Sequence, residues 1–104
     1  MPAYVISDVE PRDSDLIARY RALAQDSIAR YGGRYIVRGG PTTQLEGDWA
    51  PRRLVILEFA SAADARAWWA SPEYAEAKAL RQSCSETQMV LAEGFEPPGA
   101  PRTK

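Results

Sequence analysis

The amino-acid sequence predicts an α+β fold of the ferredoxin-like kind: βαββαβ, with a four-stranded antiparallel sheet and two helices on one face. Three observations carry this reading. Two stretches with apolar residues at helical spacing alternate with four short segments rich in Val, Ile and aromatic residues. The β-α-β order occurs twice in succession, which is the split-βαβ arrangement. Right-handed crossovers then place the third strand between the first and second, and the first between the third and fourth, so that all neighbours are antiparallel.

The first strand covers Ala3–Val9, by its Tyr, Val and Ile content. Asp13 or Ser14 caps a helix whose apolar positions are Leu16, Ile17, Tyr20, Leu23, Ala24, Ile28 and Tyr31, one face at 3.6-residue spacing. Gly32-Gly33 ends it, since the residue after a helix usually needs positive φ. Arg34–Arg38, "RYIVR", is the second strand, and Gly39-Gly40-Pro41 terminates it. A loop of about a dozen residues with a turn at "EGDW" leads to the third strand, Arg52–Phe59. Ser61 caps a second helix, with Asp64 three residues on. Ser71-Pro72-Glu73 is a fresh helix start, so the second helix is expected to break into 62–70 and 72–82. "TQMVLAEGF", Thr87–Phe95, is the fourth strand. Residues 1–95 thus form the domain, and the Pro- and Gly-rich tail 96–104 is expected to be flexible.

A chain of 104 residues suits one core. Its net charge of −1 and lack of a basic stripe give no electrostatic reason to expect nucleic acid. The longest apolar runs are four residues, as in "LVIL", so no membrane span is expected. The N-terminal stretch lacks a basic segment followed by a long apolar one, so no secretory leader is expected. One cysteine, Cys84, cannot close an intrachain disulfide and fits a reducing, cytoplasmic setting.

The strands do not alternate apolar and polar as one-sided sheets do. Val5 and Ile6 point opposite ways, as do Ile36 and Val37, Val55 and Ile56, and Met89 and Val90. Two helices cover only one face. The other would expose a large apolar patch, which predicts a homodimer packed sheet to sheet.

The strings "YVISDVE", "YGGRYIVRGG", "LEGDWAPRRLVILEF" and "ARAWWASPEYAEAKALR" resemble the domain of unknown function 1330 family, within the dimeric α+β barrel superfamily. The likeness runs from about residue 3 to 94. It implies a ferredoxin-like homodimer of the dimeric α+β barrel type. Relatives in that superfamily include cofactor-free monooxygenases, lactone isomerases and haem-handling enzymes, so the fold does not fix an activity.

A hairpin centred near Leu45 would put Arg38 opposite Arg52 and Arg34 opposite Ile56, with Glu58 diagonal to Arg34. Arg38 would then gather with Arg52, Arg53 and the start of the first helix, a seat for a carboxylate or phosphate. Glu10, Asp13, Glu46, Asp48 and Glu86 lie at the same end and offer the competing outcome of simple salt bridges. Gly39 and Gly40 would turn the chain or let a ligand approach backbone N–H groups.

Other chemistry is sparse. Without histidine the usual base, haem ligand and zinc ligand are missing, and no acids have metal spacing, so no cofactor or metal is expected. The glycines match no dinucleotide or phosphate loop. Tyr20, Trp68, Trp69 and Tyr74 form an aromatic set for a core or for a pocket between helices and sheet. The candidate ligand-binding residues are therefore Tyr20, Arg38, Gly39, Gly40, Arg53, Trp68 and Tyr74; no catalytic residue is assigned. Three readings remain open: a protein binding a small aromatic or carboxylated metabolite, a cofactor-free enzyme acting on one, or a structural or regulatory dimer without a ligand.

Overall fold

A computed structural model gives the structure of the chain and describes residues 1–95. The tail expected to be flexible, 96–104, lies outside the described residues. The elements are β1 (Ala3–Pro11), α1 (Ser14–Arg30), β2 (Arg34–Arg38), β3 (Leu54–Phe59), α2 (Ala62–Trp69), α3 (Pro72–Cys84) and β4 (Ser85–Glu93). The sheet order is β2-β3-β1-β4, with every pair antiparallel. This is the expected ferredoxin-like topology.

Local chemistry sets the helix ends. One carboxylate oxygen of Asp13 accepts from the N–H groups of Asp15 and Leu16, both at 3.0 Å, which starts α1. Gly32, at φ 75°, stops it. The expected break in the second helix is present between Trp69 and Pro72, and one serine spans it. Ser71 Oγ accepts from the Tyr74 N–H at 3.1 Å and donates to the Trp68 carbonyl at 2.7 Å. The cap of α3 is thereby tied to the end of α2. No helix among the described residues is long and apolar enough to cross a membrane.

On β1, Ala3, Val5, Ser7 and Val9 are buried under the helices, while Tyr4, Ile6 and Asp8 are half-buried on the other face. Beneath the helices, Trp68 and Tyr74 are completely buried, their rings 4.1 Å apart, and Phe59 lies 5.5 Å from Trp68. Trp68 Nε1 donates to Ser27 Oγ at 3.0 Å, so the indole brings its polar group into the core with a partner. The opposite face carries Ile6, Leu54, Ile56 and Val90 with no helix over them; Val90 is 60% exposed.

β4 runs over Ser85–Glu93 where Thr87–Phe95 was expected, β1 extends past Val9 to Pro11, and the β2–β3 hairpin departs from the sequence reading in two further details. β3 begins at Leu54, not Arg52, because the N–H groups of Arg52 and Arg53 turn to the Asp8 carboxylate at 2.9 and 3.3 Å. The hairpin register is also later than expected: Arg34 faces Glu58 rather than Ile56, and Arg38 faces Val55 rather than Arg52. A register shift between Tyr35 and Val37 inserts Ile36 as an extra residue, and the turn of a long loop places no fixed centre on the hairpin. Arg34 and Glu58 do pair, at 2.7 Å on the exposed edge.

Candidate functional site

The bulge in β2 decides which way its arginine points. Tyr35 pairs with Leu57 and Arg38 with Val55, so both share the helix-covered face. Arg38 Nη2 donates to Gln25 Oε1 on α1 at 2.9 Å, and its guanidinium lies 4.3 Å from the centre of the Tyr35 ring. Arg53 reaches the same place by another route. Asp8 holds the backbone N–H of both Arg52 and Arg53, and chain alternation then sends the two side chains apart. Arg52 leaves toward Glu10, at 3.9 Å, whereas Arg53 turns into the cleft beside Arg38.

Gly39 makes that turn sterically feasible. Its φ is 71°, its N–H donates to the Leu54 carbonyl at 2.8 Å, and a side chain there would collide with the Arg53 guanidinium. Gly40 faces open space.

The third guanidinium comes from α1. Arg21 belongs to the stripe Ile17, Arg21, Ala24, Ile28, whose other members are buried, and its Nε is buried without a hydrogen-bond partner. Arg21, Arg38 and Arg53 therefore converge around Tyr35. Burial, together with the charges of Arg21 and Arg38, lowers the Arg53 pKa from its ordinary value. Among the described residues no carboxylate lies within ion-pair distance of these three.

The acids expected to neutralise this end are engaged elsewhere or apart from it. Glu86 takes Arg12 at 3.2 Å, Glu10 lies by Arg52, and Asp13 is consumed as the cap of α1. The start of α1, two of whose N–H groups are capped by Asp13, does not line the cleft with the arginines, contrary to expectation. Arg52 is likewise excluded from it.

The three arginines bound a narrow cleft between α1 and the sheet, about 30 Å³ in volume, whose deeper wall includes Tyr20, Ile17 and Trp68. That volume holds a water or two, or the head group of an anion. Tyr74 lies behind this wall: its hydroxyl is 2.9 Å from that of Tyr20. Burial and the neighbouring Tyr74 push the Tyr20 phenol well above the usual tyrosine range, so it keeps its proton. Burial also raises the Tyr35 phenol, against the opposing pull of the arginines.

Of the seven candidate residues, the structure gathers Tyr20, Arg38, Arg53 and Trp68 at the cleft, with Gly39 supporting Arg53. Arg21 and Tyr35 are members that the sequence reading missed. The signal for Arg21 was present, an arginine on the buried period of an amphipathic helix. Among the described residues, no group of three or more His, Cys, Asp or Glu could hold a metal ion.

With helices on one side of a β2-β3-β1-β4 sheet and no helix on the other, the chain is a ferredoxin-like α+β protein. It belongs to the family described as Domain of unknown function (DUF1330), matched over residues 2–95. It is similar to the crystal structure of a protein of unknown function from Rhodopseudomonas palustris, with a TM-score of 0.74 and 21% identity over 92% of this chain and 84% of that one. A dimeric ferredoxin-like protein of unknown function from Jannaschia sp. CCS1 aligns with a TM-score of 0.64 and 17% identity, over 90% of this chain and 100% of that one. A cofactor-independent oxygenase from Streptomyces nogalater aligns at 0.55 and 11% identity, over 95% of this chain and 98% of that one. At these identities the likeness shows the fold alone. No curated protein matches the sequence.

Proposed function

We propose that this chain is a cytoplasmic homodimer that binds a small carboxylated metabolite, with the carboxylate seated among Arg21, Arg38 and Arg53. The observation that carries the reading is the convergence of three guanidinium groups around Tyr35 with no acid partner among the described residues. Guanidinium forks bind carboxylates in pairs of parallel hydrogen bonds, and clustering them without a counter-charge costs stability that a bound anion returns. The cleft of about 30 Å³ admits the head group, while the body of the molecule rests at the mouth beside Arg38 and Gly39. The raised pKa values of Tyr20 and Tyr35 favour holding a ligand over removing a proton from it.

The helix-free sheet face supports the dimer. Ile6, Leu54, Ile56 and Val90 form an apolar surface that a second copy would bury, and structural neighbours are described as dimeric. Light scattering at micromolar concentration should report about twice the 11.5 kDa chain mass; a monomer would overturn the dimer. For the ligand, melting temperatures of wild type and Arg38→Lys are compared across small aromatic and aliphatic carboxylates. At least one acid should stabilise the wild type, and the substitution should weaken binding by roughly 1.5–3 kcal/mol, about ten- to a hundredfold. Equal responses of the two proteins, or none from the wild type, would remove the carboxylate seat.

A further inference from the structure

A second arginine occupies a core position, on α3. The buried residues of that helix are Tyr74, Ala77, Arg81 and Cys84, and Arg81 is only 5% exposed. Its Nε donates to the Tyr74 hydroxyl at 3.3 Å. Among the described residues no carboxylate lies within ion-pair distance of it. Guanidinium stays charged at any ordinary pH, and burying that charge without a counter-ion is costly. The energetic debt has an outlet. Arg81 lines a groove of about 560 Å³ between α2, the end of α3 and the edge strand β4. This falls in the size range of small-molecule sites, which lies between about 300 and 1,000 Å³.

The groove has two chemical halves. Arg81, Arg66 and Gln82 supply the polar part, and Trp69, Met89 and Leu91 the apolar part. Trp69 is 45% exposed, and Lys78 Nζ lies 3.7 Å from the centre of its ring.

We propose that this groove is a second binding site, taking an amphipathic monocarboxylate. The carboxylate pairs with Arg81, and an alkyl or aryl body lies along Trp69, Met89 and Leu91. Arg81 is the buried charge of the groove and matches one carboxylate, whereas the exposed Arg66 is already solvated. The groove adjoins the cleft at Arg38, with Val5 and Met89 in the walls of both, but its arginines are different ones. Tyr20 lines that cleft and Arg81 lines this groove, with the Tyr74 hydroxyl hydrogen-bonded to both residues.

The test is an NMR titration of the ¹⁵N-labelled full chain with decanoate, its uncharged analogue decanol, and inorganic phosphate. Decanoate should give saturable shifts at the Trp69 indole N–H and the Gln82 amide, binding about tenfold or more tightly than either control, the size of one charged hydrogen-bonded contact. Gln82→Glu keeps the size of an exposed side chain and sets a competing carboxylate in the groove. It should weaken decanoate about tenfold without changing the fold, as should Arg81→Lys. Arg38→Lys should leave these shifts intact, which separates this site from the arginine cleft. Equal binding of decanol, shifts confined to Tyr35 and Arg38, or an unchanged affinity in Gln82→Glu would overturn the proposal. If Arg81→Lys does not fold, Gln82→Glu decides alone.

Discussion

The space between helices and sheet has two unlike regions. Around Trp68, Tyr74 and Phe59 every ring is buried and the polar tips are partnered: the indole to Ser27, the Tyr74 hydroxyl to Tyr20 and Arg81. Around Tyr35, three guanidinium groups meet with one side-chain hydrogen bond among the described residues, Arg38 to Gln25. The first region is saturated, and such regions stabilise a fold. The second holds charge without a counter-ion, and the proposed carboxylate seat rests on that. The difference teaches that a pocket here is recognised by unsatisfied chemistry, since its volume of about 30 Å³ alone would not attract notice.

The largest expected effect tests the saturated region. Trp68→Ala removes a fully buried ring and the indole donor to Ser27 Oγ, which keeps only its own bond to the Ala24 carbonyl, and should cost about 3–5 kcal/mol in chemical denaturation. A loss under about 1 kcal/mol would mean that the aromatic centre is not the anchor of the fold.

Gly39→Ala probes the boundary between the regions. A Cβ at φ 71° and against Arg53 should cost about 1–2 kcal/mol and push Arg53 out of the cleft. The carboxylate response should then fall more sharply than the melting temperature alone explains. A variant that keeps the full response would show that Arg53 is not part of the seat.

The smallest effect concerns Asp8, which positions Arg53 from the opposite face of the sheet. Burial pulls its pKa upward, but hydrogen bonds from Trp49 and from the backbone of Arg53 and Arg52, with the charge of Arg52, hold it below 3.8. A carboxyl whose folded pKa is depressed stabilises above its unfolded pKa and loses that contribution as pH falls through the folded value. Thermal unfolding of wild type should therefore lose stability on acidification below about pH 4, and Asp8→Asn should lower the plateau while flattening that acid limb. Parallel pH curves for the two proteins would show that Asp8 does not anchor the loop.

Much of the cleft was legible in the chain. Arg38 before two glycines and Arg53 at the entry to β3 stood out as unusual, and both reach the site. Arg21 and Arg81 did not stand out, although each sits at the apolar period of its helix, because a long side chain at such a position reads as solvated unless its neighbours are known. Arg52 was misplaced for a different reason. Adjacent residues on an extended chain point opposite ways, and only the bond of Asp8 to both N–H groups fixes which of the pair turns inward.

By itself the sequence determined the order of elements, the break at Ser71-Pro72 and the two-sided apolar character of the strands. Those follow from local rules: apolar period, capping side chains, and the backbone limits of glycine and proline. Tertiary structure alone decided the hairpin register, the bulge at Ile36, and with them the meeting of Arg21, Arg38 and Arg53. A one-residue slip moves a side chain to the other face of a sheet, and that choice is made by packing against distant residues, which no local pattern records.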